Sequence, residues 1–361
     1  MRVLQVDPSA YTPPYDHALC AALAAAGAQV TLATSRFGYG EVPPEAGYVR
    51  DERAFYRVQP GAPASRRRLA AKLAQHVGDM LRLHRRAAAY DVVHFQWLAV
   101  QHLDAMLLPR ARPVVLTAHD VLPREQRTPG QRAAQRRLYE RVEAVVVHSD
   151  HGRERLTGEA GVDPAKVEVI PHGAFTHLAR LAPSPLPLPD PGDRPVVLFF
   201  GLLRPYKGLD VLLDAWRGID DAELWIVGNA RMDVTPLKAA SPPNVRWLTR
   251  FVSDATAAAL FHRADVAVLP YRQIDQSGVL FTALAFGTPL VLSDVGGFPD
   301  VEPAVHVPAG DPDALRDALQ RLLADPAERE RLRAAALEAA RTTYSWERIA
   351  AAHLSLYARA R

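Results

Sequence analysis

The sequence is poor in the residues that build cross-links and thiolate metal sites. Its 361 residues include one cysteine, Cys20. A single thiol excludes a disulfide framework within the chain and any zinc or iron–sulfur site made of several cysteines. Cys20 stands among alanines in a predicted helix, so we expect a packed core thiol and no thiol-based chemistry.

Long hydrophobic runs are also missing. The longest, such as residues 196–203, are far shorter than the roughly 20 residues of a membrane span. The first seven residues lack the apolar core of a signal peptide and predict a strand, so we expect the protein to reside in the cytoplasm. Aromatic residues make up only 7% of the chain and do not alternate with the arginines, which argues against nucleic-acid binding.

Lysine is scarce in an otherwise balanced set of charges. Of 43 basic residues, set against 40 acidic ones, thirty-nine are arginine. This bias is typical of genome composition, and it makes each lysine worth inspecting. The four lysines are Lys72, Lys166, Lys207 and Lys238.

Short β-branched runs alternate with helical stretches along the whole chain, which predicts βαβ units around parallel sheets. The predicted strands are 3–6, 29–33, 92–95, 114–117, 144–147, 167–170, 196–200, 223–227, 245–248, 266–269 and 290–292. The predicted helices are 15–26, 66–88, 99–107, 131–142, 150–160, 209–216, 254–263, 279–286, 313–324, 327–341 and 346–359. The fold class is α/β, with two Rossmann-like, doubly wound domains.

A proline-rich segment divides the chain. Residues 183–195 hold too many prolines for a helix or a central strand, and so predict a semi-rigid linker. The predicted domains are 1–182 and 196–344, and the last helix, 345–361, follows them. Ligands of parallel sheets bind outside the carboxyl ends of the strands, so we expect two such domains to face a shared cleft.

The most informative stretch is residues 198–210, Leu-Phe-Phe-Gly-Leu-Leu-Arg-Pro-Tyr-Lys-Gly-Leu-Asp. A predicted strand ends at Gly201, a short loop presents Arg204 and Lys207, and Gly208 opens a helix. A guanidinium fork and an ammonium group beside a helix N-terminus suit a diphosphate. The alternative is an ordinary solvated loop.

This stretch resembles the donor-binding loop of the family 4 glycosyltransferases, which are retaining enzymes with the GT-B fold that use nucleotide sugars. The resemblance covers essentially the whole chain, because further strings fall in the family's order. They are Asp91-Val92-Val93-His94-Phe95-Gln96-Trp97, Thr117-Ala118-His119-Asp120, Val146-Val147-His148-Ser149, Val169-Ile170-Pro171-His172-Gly173, Ile226-Val227-Gly228-Asn229 and Val295-Gly296-Gly297-Phe298-Pro299.

The resemblance implies transfer of a hexose-type sugar from a UDP- or GDP-linked donor to a hydroxyl acceptor in bacterial glycan biosynthesis. It also implies that domain 1–182 holds the acceptor, that domain 196–344 binds the nucleotide sugar, and that the last helix, 345–361, crosses back to the first domain. Arg204 and Lys207 would hold the diphosphate, beside Gly201 and Gly228, and their two cations would make a metal ion and other cofactors unnecessary. Asp311-Pro312-Asp313 spells a metal-binding DxD string, but its place before a helix predicts an N-cap.

In the first domain the resemblance implies that His119, after the predicted strand 114–117, contacts the donor sugar and the reacting region. The alternative for His119 is a local hydrogen-bond network. The family's paired glycines are absent from the N-terminal loop, which has two prolines instead. We expect acceptor contacts from Tyr15, Asp16 and His17, although Asp16 could equally cap the first helix.

The family's pair of glutamates, separated by seven residues, is missing here. Ile274 and Thr282 stand at the two positions, with Asp275 adjacent. The donor would then rest on Asp275, Thr282 and the loop-to-helix junction of Gln276, Ser277, Gly278 and Val279. The departure leaves two alternatives open: a nucleotide-sugar-binding protein without turnover, or another GT-B enzyme such as a sugar-nucleotide epimerase.

Residues 60–141 carry fifteen basic and six acidic side chains, so the rest of the chain has an excess of acid. One basic group, Arg66, Arg67, Arg68, Lys72, Arg82, Arg85 and Arg86, shares a helix with an apolar stripe of Leu69, Leu73, Val77 and Met80. A second group is Arg124, Arg127, Arg132, Arg136, Arg137 and Arg141. These groups predict peripheral contact with an anionic membrane surface or an acidic acceptor, or else a solvated face.

Overall fold

The computed structural model describes residues 1–62, 65–121 and 129–361. Their contacts form two compact units, one of residues 1–173 with 346–361 and the other of residues 174–345. The chain therefore changes unit at 173/174, earlier than the predicted boundary at 182.

The proline-rich segment 183–195 belongs to the second unit and does not separate the two units. The Ser184 amide donates to the Ala255 carbonyl at 3.2 Å. The Arg263 guanidinium donates to the carbonyls of Gly192 and Arg194 at 2.7 and 2.8 Å. Proline excludes ladder hydrogen bonds but leaves carbonyls available to a side-chain donor, so the segment is held against this unit.

The first unit is built on a seven-stranded, all-parallel sheet in the order β3-β2-β1-β4-β5-β6-β7. Its strands and helices alternate, as in successive βαβ units, except that β3 follows β2 directly. They are β1 Arg2–Asp7, α1 Pro13–Ala25, β2 Gln29–Thr34, β3 Val49–Asp51, α2 Arg66–Ala87, β4 Val92–Phe95, α3 Gln101–Leu107, β5 Val114–Thr117, α4 Pro129–Arg141, β6 Ala144–Val147, α5 Asp150–Gly158 and β7 Val167–Val169.

The second unit has a six-stranded, all-parallel sheet in the order β10-β9-β8-β11-β12-β13. Buried aromatic side chains such as Trp216, Trp225 and Phe281 fill its core. Its elements are α6 Thr176–Ala179, β8 Val196–Phe200, α7 Leu209–Trp216, β9 Glu223–Val227, α8 Thr235–Ala239, β10 Val245–Leu248, α9 Asp254–Arg263, β11 Val266–Leu269, α10 Gly278–Phe286, β12 Leu290–Ser293, β13 Val305–Val307, α11 Pro312–Ala324 and α12 Pro326–Arg341.

The last helix, α13 (Trp346–Ala360), belongs to the first unit and packs against α1. Gly173 is the last residue of the stretch 1–173, and the Trp346 ring of α13 packs directly against it. A Cβ on Gly173 would overlap that ring. Cys20 on α1 is fully buried in this region, as predicted. The absence of a side chain at residue 173 is thus a condition for docking α13.

Side-chain N-caps explain several helix starts. Asp311 accepts hydrogen bonds from the amides of Asp313 and Ala314, both at 3.0 Å, which confirms it as the N-cap of α11. Ser253 caps α9 in the same way, through the Thr256 amide. Within the three described stretches, no helix is both long and apolar enough to cross a membrane.

The strand order of each sheet reverses once. In the first sheet β2 and β3 lie on one side of β1 and β4 to β7 on the other, and in the second sheet β8 lies likewise between β9 and β11. At such a switch point, the loops after the two central strands diverge and leave a crevice at the carboxyl edge. Ligands are therefore expected at the loops after β1 and β4 and at those after β8 and β11.

We expect Gly173→Ala to destabilise the protein by about 1–3 kcal/mol, because the added methyl group displaces Trp346. Chemical unfolding, followed by tryptophan fluorescence, measures this change. Gly158→Ala is the matched control, since a Cβ there meets nothing within 4 Å. Equal stability of the two variants would show that the Trp346 packing contributes nothing.

Candidate functional site

The loop after β8 begins and ends on glycines that no other residue could replace without strain. Gly201 follows the strand with φ +111°, and Gly208 (φ +69°) precedes α7 after a 3₁₀ turn of Pro205–Lys207. A Cβ on Gly208 would overlap the Pro270 carbonyl oxygen. The two glycines fix the path of the loop that carries Arg204 and Lys207.

Lys207 lies at the switch point of the second sheet. Its side chain is buried, 6% exposed, and its Nζ donates to the Tyr271 hydroxyl at 2.7 Å. Tyr271 follows β11, and the Lys207 Nζ also lies 4.6 Å from the centre of its ring. A Cβ built on Gly201 would stand 3.1 Å from both the Lys207 Nζ and the Val279 Cγ2. Three of the predicted donor residues therefore lie together.

Arg204 presents an unsatisfied cationic donor in the same loop. Its side chain is half-buried, and its Nε atom is buried without a hydrogen-bond partner in the described residues. Buried polar groups are rarely left unpaired, and a guanidinium is suited to bind a phosphate through two parallel hydrogen bonds. This arrangement fits an anionic ligand.

Gly228 allows the ends of β8 and β9 to approach closely. A Cβ at this position, where φ is +154°, would overlap the Gly201 carbonyl oxygen. The Gly228 amide is bonded to the Leu248 carbonyl at 3.0 Å. The role of Gly228 in this structure is close backbone packing behind the loop of Arg204 and Lys207.

The N-terminus of α10 borders Lys207 through Val279. Ser277 precedes the helix, and its side chain makes no capping hydrogen bond, while its amide donates to Gln276 Oε1 at 3.0 Å. The Thr282 hydroxyl donates to the Gly278 carbonyl at 3.0 Å, which leaves only its lone pairs for a ligand. Asp275 is buried beside this junction. Unbonded helix amides and the helix dipole favour an anion here.

The first unit has a cavity of about 310 Å³ at the carboxyl ends of β1, β4 and β5. Aromatic rings are stacked along its wall. The Tyr11 and Trp97 ring centres are 4.7 Å apart, and the Trp97 and His119 rings are nearly parallel at 4.9 Å. Polar groups of Ser9, Gln96, Thr117, His119 and Asp120 share the lining. An apolar wall with a few polar groups is typical of a pocket for a neutral polar ring.

His119 lies between two hydrogen-bond partners. Its Nε2 is 3.2 Å from Gln96 Oε1, and its Nδ1 is 3.2 Å from His148 Nε2. Burial lowers the pKa of His119 well below its ordinary range, and nearby histidines, His148 first, lower it further. His119 is therefore neutral near pH 7. Over the described residues, no three His, Cys, Asp or Glu side chains are grouped to hold a metal ion.

The structure separates the three residues predicted as acceptor contacts. Tyr15 is buried and packs edge-on against His119, with ring centres 4.7 Å apart. Asp16 and His17 line another cavity, where His17 Nδ1 is 3.1 Å from the Tyr48 hydroxyl. Only Tyr15 thus lies beside His119, and none of the three lines the pocket of Tyr11 and Trp97.

A buried pair of carboxyl groups holds the loop after β1. Asp7 accepts hydrogen bonds from the backbone amides of Ser9, Tyr11 and Thr12, and its carboxyl also bonds to that of Asp16. Burial raises the pKa of both groups, and the neighbouring Asp7 charge raises that of Asp16 further, well above its ordinary value. Because Asp7 receives three amide protons, the shared proton belongs to Asp16.

Sequence reasoning missed Tyr11, Trp97, His148 and Tyr271 as site residues. Trp97, His148 and Tyr271 each follow the end of a strand closely, and Tyr11 lies in the loop after β1. Because parallel strands end at one edge of a sheet, polar or aromatic residues just after successive strands were the available signal.

The apolar stripe predicted on α2 is largely uncovered. Leu69, Leu73 and Val77 are 68%, 54% and 41% exposed, whereas Met80 is buried in the core. Leu81, 46% exposed, extends the uncovered row. In the second basic group, Arg124 and Arg127 lie outside the described residues, as does the side chain of Arg132.

Two family models match the chain. Residues 15–177 match the model described as Glycosyltransferase Family 4, and residues 194–325 match Glycosyl transferases group 1. A phosphatidyl-myo-inositol mannosyltransferase of Mycobacterium leprae is 34% identical over 282 residues, which cover 74% of this chain and 73% of the relative. A D-inositol 3-phosphate glycosyltransferase of Xylanimonas cellulosilytica is 30% identical, over 95% of this chain and 90% of the relative.

Solved structures show the same fold. The Anabaena HepE protein in complex with UDP-glucose superposes with a TM-score of 0.75 at 18% identity, over 99% of this chain and all of that one. At this identity the likeness concerns the fold alone. It agrees with the predicted α/β class of two Rossmann-like domains.

We expect Asp16→Asn to stabilise the protein increasingly as the pH rises. The pKa of Asp16 is higher in the folded protein than in the unfolded chain. The wild-type pair therefore contributes its full stability below the pKa of the unfolded chain and loses it as the pH rises through the pKa of the folded protein. Asparagine is always neutral, so the difference in unfolding free energy should grow by up to about 1.4 kcal/mol per pH unit. Unfolding in denaturant at several pH values measures it.

The exposed carboxylate of Asp193 provides the control, Asp193→Asn, for which we expect no comparable growth with pH. A constant difference between Asp16→Asn and the wild type across the same pH range would contradict a protonated Asp16.

Proposed function

Since the chain belongs to glycosyltransferase family 4, we propose that it transfers a hexose from a nucleoside-diphosphate sugar to an acceptor hydroxyl. We propose further that the anomeric configuration is retained and that no metal ion takes part. The observation that carries this proposal is the pairing of a buried Lys207 with an unsatisfied Arg204 at the switch point of the second sheet.

The donor diphosphate binds to the loop after β8 in this proposal. The Arg204 guanidinium has an Nε donor with no partner among the described residues. Lys207 adds a positive charge that its hydrogen bond to Tyr271 holds in place. The N-terminus of α10 adds backbone amides beside Val279. Three positive groups around one anion provide the charge that a magnesium ion supplies in other transferases.

The transfer step breaks the bond between the anomeric carbon and the diphosphate oxygen and forms a bond from that carbon to the acceptor oxygen. The acceptor's proton passes to the departing diphosphate, so no side chain needs to accept it. Arg204 and Lys207 stabilise the negative charge that grows on the leaving group, and they act most strongly in the transition state.

The names of relatives support the donor and acceptor classes. The mannosyltransferase relative acts on phosphatidyl-myo-inositol, the second relative is named for D-inositol 3-phosphate, and the Anabaena structure holds UDP-glucose. A UDP- or GDP-linked hexose is consistent with all three. The stacked wall of Tyr11, Trp97 and His119 suits the apolar face of a sugar or cyclitol that carries the accepting hydroxyl.

We also propose that α2 contacts an anionic membrane surface. Its uncovered row of Leu69, Leu73, Val77 and Leu81 lies on a helix whose first turn holds three arginines. An apolar row with neighbouring basic residues is the pattern of a helix that lies in the plane of a membrane interface. The enzyme would then reach an acceptor that is part of a membrane lipid at the surface of that membrane.

We expect Lys207→Ala to lower kcat/KM at least about 100-fold, because the variant loses a charge that stabilises the leaving diphosphate. Released nucleoside diphosphate is measured across UDP- and GDP-sugars with inositol and sugar acceptors, with EDTA present throughout. Lys238→Ala is the control, since Lys238 lies over the Trp247 ring and bonds to Thr249. We expect it to keep wild-type turnover.

Three results would count against the proposal. Near-normal turnover in Lys207→Ala would remove the phosphate role of the loop. Loss of wild-type activity in EDTA, restored by a divalent ion, would remove metal independence. Donor binding without hydrolysis or transfer would favour a binding protein, and an altered sugar nucleotide formed without acceptor would favour an epimerase.

For the membrane contact, we expect Leu73→Ser to lower the partition onto phosphatidylglycerol vesicles by about tenfold, because a leucine loses its apolar burial. Co-sedimentation measures the partition, which should also fall with salt and on phosphatidylcholine. Leu181→Ser is the control, since Leu181 is 39% exposed in the second unit. Equal partition of the two variants would contradict a contact through α2.

A further inference from the structure

A continuous row of polar groups crosses the carboxyl ends of five strands in the first unit (β7, β6, β5, β4 and β1) and reaches α13. It begins at the Ile170 carbonyl, after β7, and ends at Thr117, the last residue of β5. Most of its members are fully buried. In order, the row is Ile170 carbonyl, His148, His119, Gln96, Gln5, Tyr357, His94 and Thr117.

Each neighbouring pair lies within hydrogen-bond distance. His148 Nδ1 is 2.9 Å from the Ile170 oxygen, and His119 lies 3.2 Å from both His148 and Gln96. The amides of Gln96 and Gln5 are 2.8 Å apart, and Gln5 is 2.9 Å from the Tyr357 hydroxyl. His94 completes the row, 2.6 Å from Tyr357 and 2.8 Å from Thr117.

The carbonyl at one end sets the direction of the hydrogen bonds. A carbonyl only accepts, so His148 carries its proton on Nδ1 and its Nε2 is a lone pair. That lone pair accepts from His119, so His119 also carries its proton on Nδ1. The Nε2 of a neutral His119 is then an acceptor that faces Gln96.

Two acceptors cannot bond, so Gln96 must present its NH₂ group to His119. A half-turn of the amide gives this orientation without moving any heavy-atom position. The same turn follows in Gln5, whose oxygen then accepts from the Tyr357 hydroxyl. Tyr357 accepts from His94 Nδ1–H, and His94 Nε2 accepts from the Thr117 hydroxyl. Every member is then neutral, and each link of the row joins a donor to an acceptor.

The alternative, with both amides unturned, requires an imidazolium at His119 or His148. Burial opposes that charge: it lowers the pKa of His148 to about 4 and that of His119 well below its ordinary range. Among the described residues, the groups that shift the pKa of His119, besides burial, are other histidines, His148 and His172 first, and for His148 only the Ile170 carbonyl works in the opposite direction. The neutral row is the arrangement the site can hold.

We propose that this row is one directional chain of hydrogen bonds that holds His119 as its Nδ1–H tautomer, with His148 and Tyr357 as positioning residues. Both ring nitrogens of His119 are engaged, so His119 neither donates nor accepts a proton during transfer. It acts through its ring, which supports Trp97 in the pocket wall. Only this link to transfer rests on the proposed function.

If the row is one directional chain, a change at His148 alters the tautomer of His94 at the far end. A purely structural role of His148 would not have this effect. Replacing His148 by phenylalanine removes the acceptor of His119, so the row can reverse: His119 takes its proton on Nε2, and Gln96, Gln5 and Tyr357 turn. We expect His94, at the other end, to change from Nδ1–H to Nε2–H. Long-range proton–nitrogen correlation spectra of the histidine rings read both tautomers directly in the full-length protein.

His148→Gln is the conservative partner of this variant. A glutamine amide can donate to the Ile170 carbonyl and accept from His119, so we expect wild-type tautomers at His119 and His94. In the double variant His148→Phe/Tyr357→Phe the row is broken at the hydroxyl, and we expect His119 to change while His94 does not. His262→Gln, in the second unit, should change neither.

The kinetic readout separates this inference from the proposed function. We expect kcat to fall about tenfold in His148→Phe and less than about twofold in His148→Gln, at nearly constant donor KM, as for the loss of one or two neutral hydrogen bonds. A wild-type His119 with its proton on Nε2 or on both nitrogens would overturn the row. So would an unchanged His94 in His148→Phe, whereas an inactive wild type with the expected tautomers would overturn only the transferase proposal.

Discussion

The second unit depends on the burial of one ammonium group at the carboxyl end of its sheet. Lys207 can lie there because Tyr271 provides both a hydroxyl acceptor and a ring face. A side chain on Gly201 would crowd the ammonium group, and one on Gly228 would overlap the Gly201 carbonyl oxygen. A charge in this position is costly unless it is compensated, so the glycines, the tyrosine and the lysine form one interdependent set.

The first unit uses the same sheet topology for a different electrostatic purpose. Around His119, neutral imidazoles, amides and hydroxyls satisfy one another, and the remaining wall is aromatic. Its only carboxyl pair, among the residues described around this loop, shares a proton between Asp7 and Asp16. One unit therefore offers positive charge and the other a nearly neutral polar pocket, as a diphosphate donor and a hydroxyl acceptor would require.

Most of the fold was accessible from the sequence because parallel strands are continuous apolar runs. Strands such as Val92–Phe95 and Val196–Phe200 were predicted to the residue. The short edge strands Val49–Asp51 and Val305–Val307 were missed, since each is three residues long and partly exposed. The periodicity on α2 predicted an apolar stripe, and spacing alone could not say that Leu69 and Leu73 would be exposed, because it does not show whether a partner covers the face.

The candidate site likewise contains residues that are close in sequence, which could be predicted, and residues that only the fold brings together, which could not. Lys207 and Arg204 were found because a glycine, two cations and a helix start stand within eight residues of one another. Tyr271 and Tyr357 could not be found in this way, because each meets its partner only through the topology of the sheet. The tautomer of His119 is harder still to predict, since it follows from the Ile170 carbonyl, which lies after β7, through the intervening His148. Where chemistry depends on the direction of hydrogen bonds, the sequence supplies the donors and acceptors, but their arrangement in space determines which atom carries each proton.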